Sequence, residues 1–369
     1  MAEATARRLQ DDRLVSLDFF RGLTMFLLIG ESTHLYELMR AAAFDGTFLS
    51  WLGWQLEHHQ WNGLHFWDLV QPFFMFIVGV AMPFSFAKRW QAGDSWQKTF
   101  HHALRRSLLL LLFGIGLYCI SAGEMTFELW NVLAQLSFTY LVAFLLMRFR
   151  LSTQIGVGLA LILLSEVLYR TFPVAGFNQP FTPDHNFGSW LDLQVMGKLS
   201  RGHWVAFNAV PTAAHTIWGV VAGQWIRSQA SEIKKIGVLL LAGGLAVVVG
   251  MSLNPITPII KRICTSSFVI VSGGWCLIGL AASYAIVDVL RQRRLARFFT
   301  YVGMNSLFIY LFCHTGGADW IKGILKPFVV FLFRWGGEQA IPLLVALATW
   351  LALWGICYWL YRHRLFFKM

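Results

Sequence analysis

The sequence predicts an all-α, polytopic membrane protein of about ten transmembrane helices plus one short interfacial or re-entrant helix. Three observations predict it. Of 369 residues, 57% are hydrophobic and 13% charged, where soluble domains sit near 45–50% apolar and about 25% charged. The apolar residues gather in runs close to the ~20 that cross a bilayer as a helix. Lys and Arg gather in alternate loops, the asymmetry that orients membrane proteins.

In order, the expected spans are residues 15–38, 66–87, 105–122, 129–147, 152–169, 205–226, 235–253, 264–289, 299–315 and 340–361. A shorter apolar run, Ile324–Phe333, is interrupted by Lys326 and Pro327 and suits an interfacial or re-entrant helix. With the N-terminus inside, the cytosolic loops carry Arg7, Arg8 and Arg13, then Lys88, Arg89, Lys98, Arg105 and Arg106. Arg148 and Arg150, Arg227, Lys234 and Lys235, and Arg291, Arg293, Arg294 and Arg297 continue the pattern. Arg362, Arg364 and Lys368 close it, so both termini are expected in the cytosol. An eleventh span at 324–333 would put that basic tail outside. The net charge of +11 is thus a record of topology rather than of nucleic-acid binding.

On this topology the 39–65 and 170–204 loops are extracytoplasmic. Cys119, Cys264, Cys276, Cys313 and Cys357 form no CxxC pair, so neither a disulfide framework nor a metal site is expected. Asp18 and Arg21 interrupt the first apolar run, which argues against a cleavable signal. The chain reads as a single transmembrane domain, 1–369.

Residues 58–72, HHQWNGLHFWDLVQP, are the most informative stretch. Ionisable groups at membrane depth are costly and are usually kept for function. His58 and His59 precede Trp61-Asn62-Gly63, and the next helix opens with His65, Trp67 and Asp68. One reading makes His58 a surface-loop imidazole. The other gives it proton-transfer or acyl-accepting work, for which imidazole is well matched near neutral pH. Asp68 can stabilise a helix N-terminus, orient a histidine, or do both.

Other polar residues carry two readings each. Asp18 and Arg21 are three apart and can pair on one helix face, as a snorkelling Arg with its partner or as an anion site. Glu31 and His34 are either an interfacial cap or support for an outer site. His215 is either a satisfied core histidine or a substrate contact, and Gly219 and Gly223 read as close helix packing. Arg227 lies at the inner mouth, where simple anchoring accounts for it. Lys261 and Arg262 fall outside, against the charge rule, which suggests an acidic group or an anionic ligand beside them. Asn305 is expected to hydrogen-bond a neighbouring helix. His314 either reaches the His58 region or faces water.

Together these blocks resemble the heparan-α-glucosaminide N-acetyltransferase family and its bacterial relatives, within the transmembrane acyltransferase superfamily. SLDFFRGLTM resembles that family's opening span. The pattern HxxWNGLxxxDLVxPxFxFIxG is carried by His58, Trp61, Asn62, Gly63, Leu64, Asp68, Leu69, Val70, Pro72, Phe74, Phe76, Ile77 and Gly79. PIIKRICTSSF and GMNSLFIYL follow in the same order, and the likeness extends over nearly the whole chain.

The resemblance implies an acetyltransferase that takes acetyl-CoA from the cytosol and acetylates an amino sugar on the far face. It implies a catalytic role for His58; on the residues themselves Asp68 and Glu31 are expected to support it, and His59, Trp61, Asn62, Lys261 and His314 to contact the substrate. Acetyl-CoA would be held by Asp18, Arg21, Arg227 and Asn305, with Arg105 and Arg106 near the same mouth. No metal is implied. The family's outer asparagine falls at Ser32 here, next to Glu31. No large lumenal domain is expected before the first span, and the acceptor is expected to be recognised by the loops. The resemblance also points to a homodimer in a bacterial inner membrane.

Two other readings stay open on the residues alone. Polar groups at both faces fit a sugar or amino-sugar transporter, although such proteins show inverted repeats and broken helices that this sequence does not display clearly. A binding or assembly protein that kept the scaffold and lost the chemistry is the third.

Overall fold

The computed structural model describes residues 14–367. Arg7, Arg8, Arg13 and Lys368 of the charge pattern lie outside the described residues. Among the described residues the secondary structure is helical, apart from one isolated antiparallel bridge between Asn62 and Ile260. Among the described residues, six helical segments are long and apolar enough to cross a membrane: Phe66–Gln91, Trp96–Ala122, Leu151–Thr171, Glu232–Ser252, Ser266–Val289 and Ala340–Arg362. Val132–Leu146 is apolar but shorter. The described residues divide into two compact units, one of residues 54–231 and 238–278, the other of residues 14–53, 232–237 and 279–367.

The first of these units is built on α4 (Val70–Gln91) and α9 (Ala209–Ile226). These two helices approach closely because glycines line their contact. A Cβ on Gly79 would stand 2.0 Å from the carbonyl oxygen of Thr216, and one on Gly219 would stand 2.2 Å from that of Phe76. Gly223 meets the carbonyl of Val80 in the same way, so the small-residue spacing is packing. Around them lie α5 (Trp96–Ala122), α6 (Val132–Leu146) and α7 (Leu151–Thr171). The apolar window of the span containing α4 is 67% buried, against 28% for α5 and 22% for α7. The outer helices therefore turn apolar surface outward, as lipid-facing helices must. Met82, Phe86, Ala103, Tyr140, Phe144 and Ile217 fill the space between α4, α5, α6 and α9. Asn131 caps α6 by accepting from Ala134 N–H (2.9 Å) and donates its amide to Gly114 of α5 (2.8 Å).

In the other unit, α1 (Val15–Glu31) packs on α12 (Arg293–Met304). Gly22 leaves room for the backbone of Phe299, and Gly303 leaves room for that of Asp18. Trp350 of α15 (Gly337–Arg362) stacks on Phe26 at 4.4 Å and donates to its carbonyl at 2.8 Å.

Some expected boundaries move. The first span stops at Glu31 rather than at residue 38, because His34 takes a left-handed conformation (φ 64°) that begins the short α2, Leu35–Met39. The span expected at 299–315 is not one helix. Asn305 (φ −120°, ψ 32°) separates α12 from α13 (Ser306–Phe312), and Thr315 and Gly316 break the helical path again. The run at 324–333 belongs to a longer helix, α14 (Ala318–Phe333), which passes through Pro327. Both long loops contain helices, α3 (Phe48–Gln55) and α8 (Phe187–Met196), and α10 (Glu232–Ser252) and α11 (Ser266–Tyr284) complete the set.

Candidate active site

The site lies in the unit built on α4 and α9, where two distant stretches of chain are stitched together. Gly63 N–H donates to the carbonyl of Ile259 (2.9 Å), next to the bridge between Asn62 and Ile260. Gly63 is required there. Its φ is +153°, and a Cβ would stand 2.4 Å from the His59 ring. On the other stretch, Ile260 and Ile263 are fully buried against Tyr169, Phe187, Val205 and Phe207. Burying such side chains stabilises by about 1.5–3 kcal/mol each. With both isoleucines fixed, the Lys261 between them is directed at residues 58–68.

Asp68 organises this meeting. It sits in the 3-10 turn Phe66–Leu69 that leads into α4 and is completely buried. Its Oδ2 accepts from the backbone N–H of His65 (2.9 Å) and of His59 (3.2 Å). Its Oδ1 stands 3.0 Å from Nδ1 of His58 and 3.9 Å from Nζ of Lys261. Lys261 Nζ is in turn 3.0 Å from the same Nδ1. A carboxylate only accepts, so the Asp68 contact calls for a proton on Nδ1; an ammonium only donates, so the Lys261 contact calls for a bare Nδ1. The ring nitrogen satisfies one partner at a time. With Nδ1–H on Asp68, the lone pair of Nε2 is free to take a proton.

Aromatic rings shape the surroundings. Trp204 meets the His58 ring edge-on at 5.4 Å, and both Lys261 (5.4 Å) and Arg262 (5.3 Å) lie over its face. Trp67 is 6.4 Å from His58. The side chain of His58 is 30% exposed and that of Lys261 only 6%. Burial and the Lys261 charge, opposed by the Asp68 carboxylate, push the His58 imidazole down to about 4, so it is neutral near pH 7. Burial and the neighbouring His65 also lower His59. Arg262 donates to the carbonyl of Gly202, which ties the segment holding Trp204 to the Lys261 segment. Asp192 of α8 fixes that segment further, accepting from Ala206 N–H (3.0 Å) and from the Trp130 indole (2.6 Å). Burial pushes the Asp192 carboxyl up to about 6.

The structure thus gathers His58, His59, Asp68 and Lys261 from the expected residues. Trp61 stands beside them with its indole donating to the carbonyl of Phe181 (2.8 Å), and Asn62 is exposed. Lys261 does have an acidic group beside it, the buried Asp68. Arg227 ends α9 in the same unit and donates to the carbonyl of Pro83 (2.8 Å). Its remaining N–H donors leave it able to hold a second acceptor.

Glu31, Asp18, Arg21, Asn305 and His314 belong to the other unit. Asp18 and Arg21 form an ion pair at 3.8 Å. Glu31 is exposed at the end of α1. Asn305 uses both ends of its amide on the C-terminal segment, donating to Leu365 C=O (3.1 Å) and accepting from Phe367 N–H (3.2 Å). That is a structural use, on the irregular segment after α15 rather than on a neighbouring helix. His314 stacks on Tyr310 at 4.1 Å, with Nδ1 2.9 Å from that residue's carbonyl oxygen.

Sequence reasoning missed Trp204, Asp192 and the pair Glu166 and Arg170 that binds the Lys261 segment. Trp204 lies in an irregular loop with no periodic signal, and Asp192 sits on the short α8 within the same long connection. Glu166 did carry one, being an acid inside an apolar run. Among the described residues no group of three or more His, Cys, Asp or Glu is placed to hold a metal ion.

No family model matches the chain. It is similar to the heparan-alpha-glucosaminide N-acetyltransferase of Mus musculus, 31% identical over 146 residues, which cover 37% of this chain and 19% of that protein. It is likewise similar to the protein of the same name from Homo sapiens, 31% identical over 140 residues, 35% of this chain and 18% of that protein. The similarity supports the family resemblance carried by the sequence blocks, over about a third of the chain, and the matched stretch spans less than a fifth of those relatives.

Proposed function

We propose, from the similarity to the heparan-alpha-glucosaminide N-acetyltransferases and the site around His58, that this chain is an integral-membrane N-acetyltransferase. In this reading the acetyl donor is acetyl-CoA and the acceptor is the amine of a glucosamine-type sugar. The observation that carries it is the pairing of a neutral, half-buried imidazole with a fully buried carboxylate through Nδ1. That arrangement leaves Nε2 to act as a general base.

The reaction then runs in a ternary complex. His58 Nε2 takes the proton from the attacking amine as its nitrogen bonds to the thioester carbon. The Lys261 ammonium supplies positive charge beside the developing oxyanion. The C–S bond breaks, and the thiolate recovers the proton from His58. Asp68 holds the ring in register and offsets the imidazolium charge while it lasts. Because Lys261 opposes that charge, the proton is held only briefly.

The wider arrangement belongs to the same proposal. Ten spans, both termini in the cytosol and His58 on the outer face of a bacterial inner membrane follow from the charge pattern. Within the unit that holds His58, Arg227 would meet acetyl-CoA on the inner side. Within the same unit His59, Trp61 and Asn62 would contribute to the outer face, and two copies of the chain would form a dimer.

The test is direct. Purified protein in detergent, given labelled acetyl-CoA and glucosamine, forms labelled N-acetylglucosamine. The helix break at Asn305 is what a transporter would use. Proteoliposomes that accumulate labelled glucosamine without any CoA, and form no acetylated product, would establish that second reading.

A further inference from the structure

The segment that carries Lys261 is held at both of its ends by one side chain. Glu166, on α7, accepts from the hydroxyl of Thr257 through Oε1 (2.6 Å) and from the hydroxyl of Ser266 through Oε2 (2.6 Å). Thr257 opens the loop before Lys261, and Ser266 begins α11 after it. One turn further along α7, Arg170 donates to the carbonyl of Ile256 (2.7 Å) and to the hydroxyl of Thr257 (2.8 Å). The Arg170 guanidinium also lies 5.0 Å over the ring of Phe181. The carbonyl of Phe181 accepts the indole N–H of Trp61, three residues after His58. Bonds to a charged acceptor are about twice as strong as neutral ones.

We propose that Glu166, with Arg170, is the positioning residue of the site: it clamps the 257–266 loop so that the Lys261 ammonium stays against His58. The Glu166 carboxylate binds Thr257 and Ser266, and its influence on Lys261 passes through them. The catalytic meaning of the clamp rests on the acetyltransferase reading; the geometry of the clamp does not.

The groups that bear on His58 are Asp68, Lys261 and Arg262, with Trp204 and Trp67 as uncharged walls. Releasing the clamp moves Lys261 away and removes a cation that opposes protonation of His58. The direct effect of losing the Glu166 negative charge has the opposite sign. An upward shift therefore reports the movement of Lys261.

The experiment is a histidine NMR titration of full-length protein in nanodiscs, with the His58 signal assigned by its loss in His58→Gln. In Glu166→Ala the His58 midpoint rises by about one pH unit or more. In Glu166→Gln, which keeps the bridge shape, the rise is smaller. Should the alanine variant not fold, Thr257→Val combined with Ser266→Ala removes the same two bonds and gives the same rise. An unchanged midpoint in the folded alanine or double variant overturns the proposal. So does a shift of equal size in the glutamine variant, or a downward one. The titration needs no turnover, so loss of the acetyltransferase reading would leave this result standing.

Discussion

Nζ of Lys261 stands 3.0 Å from Nδ1 of His58, across 203 positions of sequence. The contact exists because Gly63 and Asn62 pair with Ile259 and Ile260, and because Asp68 draws both side chains toward one carboxylate. Burial, together with this contact, keeps the imidazole neutral and available over the physiological pH range, and makes it a weaker base.

Lys261→Met removes the cation and keeps most of the stem. With Lys261 gone, the His58 imidazole rises from about 4 toward its ordinary 6.5. In the parent, activity is retained as pH falls until His58 protonates near 4. In the variant the acid limb of kcat/KM moves upward, toward 6.5. A pH–rate profile of both proteins checks this, and an unmoved acid limb would separate Lys261 from the chemistry.

Asp68→Asn leaves the backbone N–H groups of His59 and His65 and the His58 ring competing for a single carbonyl oxygen. It also removes the carboxylate charge beside the buried Lys261 ammonium. Removing one partner of a buried ion pair costs about 3–5 kcal/mol, so the variant should denature at markedly lower temperature in detergent. Asp68→Asn with Lys261→Met should recover part of that loss. If the double variant is no more stable than the single, the two charges are not coupled.

Protonation of His58 also bears on stability. Its folded value lies below the unfolded one, so the folded state binds fewer protons between the two. Stability from this group is intact above pH 6.5 and is lost as pH falls toward 4. Thermal midpoints across that window should fall less steeply in His58→Gln than in the parent. Parallel curves would show that other groups set the acid sensitivity.

The α4–α9 contact offers a test of the scaffold apart from the chemistry. In Gly79→Ala the new methyl group meets the backbone carbonyl of Thr216, which cannot move aside like a side chain. Overpacking of this kind costs about 1–3 kcal/mol. Gly116→Ala, in open space on α5, should be neutral or slightly stabilising. Equal thermal midpoints for the two variants would remove the close approach from the account.

The all-helical class, six of the apolar spans and an Asp68 able to orient a histidine were legible because each rests on local signals: run length, and polar residues where lipid does not ask for them. The out-of-place Lys261 was legible for the same reason, and its acid proved to be Asp68. Helix ends were less so. A left-handed His34 and a non-helical Asn305 are decided by what packs on them, not by neighbours in sequence. Trp204 and Glu166 escaped notice because their partners lie in other parts of the chain: Glu166 binds a hydroxyl 100 positions away. No spacing rule reports such a contact.

The central claim is that His58 performs the proton transfer, and single-turnover formation of N-acetylglucosamine from labelled acetyl-CoA tests it most directly. General-base catalysis contributes roughly 10²–10⁴-fold, so His58→Ala should slow product formation by that factor, with no label retained on the parent chain when acceptor is withheld. A His58→Ala protein that acetylates glucosamine as fast as the parent would contradict the account.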